Sequence, residues 1–154
     1  MATTYSTALY ASRTPPNTGH GFNTASVHLH AISGSITTWA AADVINVGAL
    51  PAGAVVTAAI LKAASQLDSN GTPTLTLSLG VSGAAGLFKS AITTVGRAAG
   101  ATADVTLAPA GALYKAPART TVIVTVGAGS ATAVAGTLEV DLEYYVEDAA
   151  GSAP

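Results

Sequence analysis

The sequence predicts an all-β protein: an antiparallel β-sandwich, jelly-roll-like, with about eight strands behind an extended N-terminal arm. Three observations lead there. Apolar and polar residues alternate with a period of two in several short runs. Clusters of Gly, Pro, Asn and Ser separate these runs at short spacing. No convincing long helical period intervenes, so the crossovers that a parallel α/β sheet requires are missing.

The elements follow in order. Residues 1–24 are small and polar, with Pro15-Pro16 and the turn cluster Asn17-Thr18-Gly19-His20-Gly21. No period is visible there, and the segment reads as an extended arm. Val27, Leu29 and Ala31 then alternate with His28, His30 and Ile32, which is a strand. Val44–Val47 is a second, and Leu50-Pro51-Ala52-Gly53 turns the chain into a third, Val55–Lys62. Ser69-Asn70-Gly71 is the strongest turn signal. After it, Leu75, Leu77, Leu79 and Val81 alternate with Thr74, Thr76, Ser78 and Gly80. Leu87–Ala99 fits both a helical face and a strand. Ala103–Leu107 is a short strand, Pro109-Ala110-Gly111 a turn, and Leu113–Ala116 a brief edge strand. Thr120–Val126 is rich in β-branched residues and is read as β. The last strand, Thr137–Glu147, is expected to bury Leu138, Val140, Leu142, Tyr144 and Val146 and to expose Glu139, Asp141, Glu143 and Tyr145. The expected division is an arm at 1–24, a sandwich domain at 25–148 and a tail at 149–154.

Composition bounds the function. The chain has 154 residues, the size of one domain with enough core to fold without staples. Cysteine is absent, which excludes disulfides, thiolate metal sites and cysteine nucleophiles. Alanine, threonine and glycine number 34, 21 and 16, while only 9% of residues are charged, against about 25% in ordinary domains. The net charge is -2, so no basic field is available for nucleic acid or an anionic membrane. The first ten residues lack the basic and apolar regions of a secretory signal. The longest uncharged apolar stretch, between Asp43 and Lys62, is broken by Asn46, Pro51, glycine and threonine, so no membrane span is expected. A surface with so few charges suggests coverage by partner proteins.

Candidate chemistry is sparse, and no enzyme is expected. His28 and His30 share a strand face, as two metal ligands would. Gly34 and Ser35 stand where a jelly-roll metal enzyme would place its glutamate, and His20 lies in the arm, so no metal or other cofactor is expected. Glu139, Asp141 and Glu143 form an acidic row on one strand. Standing side by side, they read as a solvated face that resists edge aggregation, or as a contact to a basic partner. Gly80-Val81-Ser82-Gly83-Ala84 lacks the last glycine of a nucleophile elbow, and no phosphate-binding glycine motif is present. Trp39 reads as a packing residue, with a carbohydrate-stacking platform as the alternative.

The stretch Ala42-Asp-Val-Ile-Asn-Val-Gly-Ala-Leu-Pro-Ala-Gly-Ala-Val-Val-Thr57 resembles small virion proteins of tailed bacteriophages. The Thr-rich arm before the first strand and the terminal Leu138-Glu-Val-Asp-Leu-Glu-Tyr-Tyr-Val146 strand match the same layout. The resemblance implies a capsid decoration or cement protein, often a homotrimer, seated on the outer surface of the capsid. It implies the major capsid protein as partner, synthesis in the host cytoplasm, and no catalytic residue. Tyr5, Leu9, Tyr10 and Arg13 are then the expected protein-interface residues of the arm, since Tyr and Arg are favoured anchors. The alternatives are a phage tail or fibre domain, a carbohydrate-binding β-sandwich module using Trp39, and a metal enzyme using His28 and His30.

Overall fold

The computed structural model describes residues 4–11, 27–97, 102–105 and 107–146. Nine strands form, with no helix among the described residues: β1 Thr4–Ala11, β2 Val27–Ser33, β3 Val44–Leu50, β4 Ala54–Ala63, β5 Leu77–Val81, β6 Ala84–Ile92, β7 Thr102–Val105, β8 Thr120–Val126 and β9 Leu138–Val146. Two antiparallel sheets result, β2-β9-β4-β7 and β3-β8-β5-β6. Strand β1 joins them, running parallel to β3 through Thr4–Ser6 and antiparallel to β2 through Thr7–Ala11.

The pairing has a simple logic. Strands β2 and β9, β3 and β8, β4 and β7, and β5 and β6 are antiparallel partners. The chain therefore runs out along β2 to β5 and back along β6 to β9, like one long hairpin. The hairpin closes at Ser82-Gly83, where Gly83 takes a φ of 88°, a conformation that costs glycine little.

Alternation places the core between the sheets. Ile45, Val47, Leu77, Leu79, Val122, Val124 and Val126 point inward from one sheet, and Leu29, Ala31, Ala59, Leu61, Leu138, Val140 and Leu142 from the other. Phe88, Leu67, Leu75 and Trp39 fill the ends of this layer. Burying a leucine completely is worth about 1.5–3 kcal/mol, and these short strands of small residues depend on many such contacts.

Several elements differ from the expectation in detail. Within the expected extended arm, Thr4–Ala11 is a strand paired within the chain. Its alternation is hidden because Thr, Ser and Ala occupy both faces. The ambiguous Leu87–Ala99 region is strand β6 as far as Ile92 and bends and turns from Thr93 to Arg97, Ala98 and Ala99 lying outside the described residues; pairing with β5 decides against the helix. Leu113–Ala116 is a turn followed by an isolated bridge from Lys115 to Val55, not an edge strand. At the end of β9 the core layer has run out, so Tyr144 is half-buried and Val146 is 44% exposed. The tail at 149–154 lies outside the described residues.

Leu142 is fully buried at the middle of β9, between β2 and β4. Leu142→Ala is expected to lower the unfolding free energy by about 2–5 kcal/mol, as read from urea denaturation with an unchanged m-value.

Candidate interaction surface

The outer face of the β2-β9-β4 sheet collects most of the charge carried by the strands. The register sets His28 opposite Glu143, His30 opposite Asp141 and Ile32 opposite Glu139. On the other flank of β9, Lys62 lies opposite Glu139 and Ile60 opposite Asp141. The side chains pair along diagonals as well as directly. His28 Nδ1 lies 3.1 Å from Asp141 Oδ1, His30 Nε2 3.7 Å from Glu139 Oε1, and Lys62 Nζ 3.5 Å from Glu139 Oε2. The histidine pair and the acidic row, 113 positions apart at His28 and Asp141, are thus one surface. Glu139, Asp141 and Glu143 are half-buried, less exposed than expected, because the two flanking strands crowd them.

Such exposed pairs contribute little to stability, about 0–1 kcal/mol each. Their importance is chemical. Three carboxylates face one permanent cation, with exposed Ile32 and Ile60 among them. The other sheet presents the opposite character. Strands β3, β5 and β8 contain no charged residue, and their outward positions include Asn46, Ser78, Thr121 and Thr125. Lys89 on β6 is the one charged residue in the strands of this sheet, so its uncharged part is the β3-β8-β5 region.

No group of three His, Asp or Glu side chains among the described residues is placed to hold a metal ion. His28 and His30 face carboxylates instead, and His20 lies outside the described residues. Ser82 is exposed in a hairpin turn, without the strand-to-helix setting of an elbow. Trp39 is 2% exposed and its indole N–H donates to the Val134 carbonyl at 2.9 Å. Burial removes the ring as a sugar platform, so the carbohydrate reading loses its residue. Of the arm residues, Tyr5, Leu9 and Tyr10 sit on β1 at positions opposite Ile45, Ala31 and His30. Arg13 lies outside the described residues.

One functional group escaped the sequence reading. Asp68 is completely buried where the loop after β4 meets the loop after β8. Its carboxylate accepts backbone N–H bonds from Thr74 at 2.8 Å, Leu75 at 3.1 Å, Ala131 at 3.1 Å, Thr132 at 3.0 Å and Asn70 at 3.3 Å. Burial pushes the carboxyl up, but the bonds from Thr132, Ala131, Thr74 and Leu75 together outweigh it and hold it well below the usual carboxylate range. The available signal was the aspartate directly before Ser69-Asn70-Gly71, an Asx-type turn opener.

No protein-family model and no curated protein matches the sequence. Two solved structures do. A chain of the cyanophage Pam1 capsid asymmetric unit is 31% identical with a TM-score of 0.68, covering 88% of this chain and 94% of that one. A chain of the capsid of Ralstonia phage GP4 is 31% identical with a TM-score of 0.67, covering 90% and 93%. Fold and likeness together define a phage virion protein with a structural role. The chain belongs to the family of phage capsid proteins that these two structures represent.

Asp68 yields a pH signature. In the unfolded chain its carboxyl titrates near 3.9. The folded value is lower, so its stabilisation is complete above that region and drains away as pH falls below about 4. Asp68→Ala leaves buried N–H donors unmatched and is expected to cost about 3 kcal/mol or more. Thermal midpoints measured between pH 2 and 7 should fall steeply in acid for the wild type and more gently for the variant.

Proposed function

We propose that the chain is a decoration or cement subunit: a jelly-roll body that binds the outer surface of a phage capsid, contacts the major capsid protein and stabilises the shell. The observation that carries this reading is the likeness to two capsid chains over about nine-tenths of the sequence. The strand orders β2-β9-β4-β7 and β3-β8-β5-β6 support the jelly-roll assignment. The difference between the two broad faces supports attachment by one of them. A subunit seated on a partner does best with an uncharged contact face, since buried charges must be paired or pay a desolvation cost, and keeps its charges elsewhere. The uncharged β3-β8-β5 face is the one we assign to the shell. On this reading the protein is made in the host cytoplasm and assembles there as a homo-oligomer, with Tyr5, Leu9, Tyr10 and Arg13 adding contacts from the arm.

The test is co-sedimentation of the full-length protein with capsids purified free of it. Saturable binding at high copy number is expected, together with increased resistance of the shell to heat. Thr121→Glu places a charge on the uncharged face and should weaken binding at least about tenfold, with the fold intact by circular dichroism. Absence of binding, or a handful of copies per particle, would reject decoration in favour of a tail or fibre position.

A further inference from the structure

Among the described residues, the exposed large apolar side chains are Ile32, Ile60, Leu113 and Val146. Leu113 is the most exposed, at 66%. It lies in the connection from β7 to β8 with a φ of 57°, in the left-handed region that disfavours a leucine. An exposed, unstrained polar residue or glycine would serve a mere turn better.

This connection is held rigidly. Ala108 N–H donates to the Phe88 carbonyl at 2.6 Å, and the Gly111 and Ala112 N–H groups donate to the Ala108 carbonyl at 2.8 and 2.9 Å. Beyond the leucine, Val56 N–H donates to the Tyr114 carbonyl at 3.1 Å and Ala116 N–H to the Ala54 carbonyl at 2.8 Å. The Tyr114 ring meets Phe88 edge-on with centroids 5.9 Å apart. Only glycine fits at position 111, because a Cβ there would run into the Leu87 carbonyl. The leucine is therefore anchored from both sides and displayed outward. Pro109, Ala110 and Ala112 are exposed beside it, as are Lys115 and Arg119 at the rim.

We propose that this knob is a self-association site: Leu113 of one copy, with Lys115 and Arg119, seats on the outer β2-β9-β4 face of a second copy. That face offers matching chemistry, with exposed Ile32 and Ile60 set among Glu139, Asp141 and Glu143. Two of the three other exposed large apolar side chains are thus on the one face whose carboxylates outnumber its lysine. Knob against knob would oppose like charges. The knob is on a connecting loop and its receptor on a sheet face, so the contact is head to tail, and successive copies close a ring or extend as a filament.

The experiment uses the purified full-length protein without capsids, so its outcome is separate from that of shell binding. Light scattering after size exclusion is expected to give an oligomer. Leu113→Asp should weaken association at least about tenfold. Leu113→Gly removes the same knob yet accepts the left-handed backbone; it should also dissociate the oligomer while the chain stays folded by circular dichroism. Arg119→Glu and Glu143→Lys should each weaken association, and combining them should restore part of it. A wild-type monomer at about 0.1 mM, well above the ~1 μM range of specific contacts, would overturn the proposal. So would a Leu113→Gly variant that keeps the wild-type mass.

Discussion

Strand β9 carries the constraint on which the rest of the molecule depends. It lies between β2 and β4, hydrogen-bonded to both. Its inward residues Leu138, Val140 and Leu142 are all buried, and its outward residues Glu139, Asp141 and Glu143 supply the acid of the charged face. Because the side-chain period of a strand is two, a one-residue slip would exchange these sets and put carboxylates into the core. The register of β9 therefore fixes three things at once: the pairing of the long hairpin's two open ends, the inward face of its own sheet, and the rows against which His28, His30 and Lys62 are aligned.

Strands were legible where alternation was strong and chemically sharp. Leu75 to Val81, Thr120 to Val126 and the inward half of β9 combine large apolar residues with polar partners, and nothing competes with that pattern. Strand β1 was not legible, because Thr4 to Ala11 mixes small residues on both faces and is ordered by its pairing with β2 and β3. Region Leu87–Ala99 satisfied two periods, and only a neighbour could choose between them. The candidate surface was half legible. The histidine pair and the acidic row were each visible, but their meeting depends on register between strands over a hundred positions apart. Asp68 depends on two loops converging on one carboxylate, and no local pattern records that. A leucine at positive φ has no sequence signature at all.

The low charge of this chain acquires a physical sense from where the charges lie. A soluble surface of this size ordinarily carries mixed charges on every side. Here the β3, β5 and β8 strands carry none, whereas the opposite sheet has a paired ladder of histidine, carboxylate and lysine. Small residues such as Ala, Thr and Gly lose little side-chain entropy when a surface is covered, which lowers the cost of assembly. Membership in a capsid-protein family fits a surface built in this way.

The two ends of the sandwich then divide the labour between stability and contact. At one, the buried Asp68 gathers N–H groups from two loops and locks them without displaying anything to solvent. At the β7–β8 connection, comparable rigidity is used to hold Leu113 outward in an unfavourable backbone state. Strain of this kind persists only where the surroundings over-determine it, and the bonds on both sides of Leu113 do so. A rigid knob loses little further freedom on docking, so more of the apolar contact survives as affinity. That economy separates Leu113 from Val146, an exposed apolar residue at a strand end, and makes the loop the more discriminating contact.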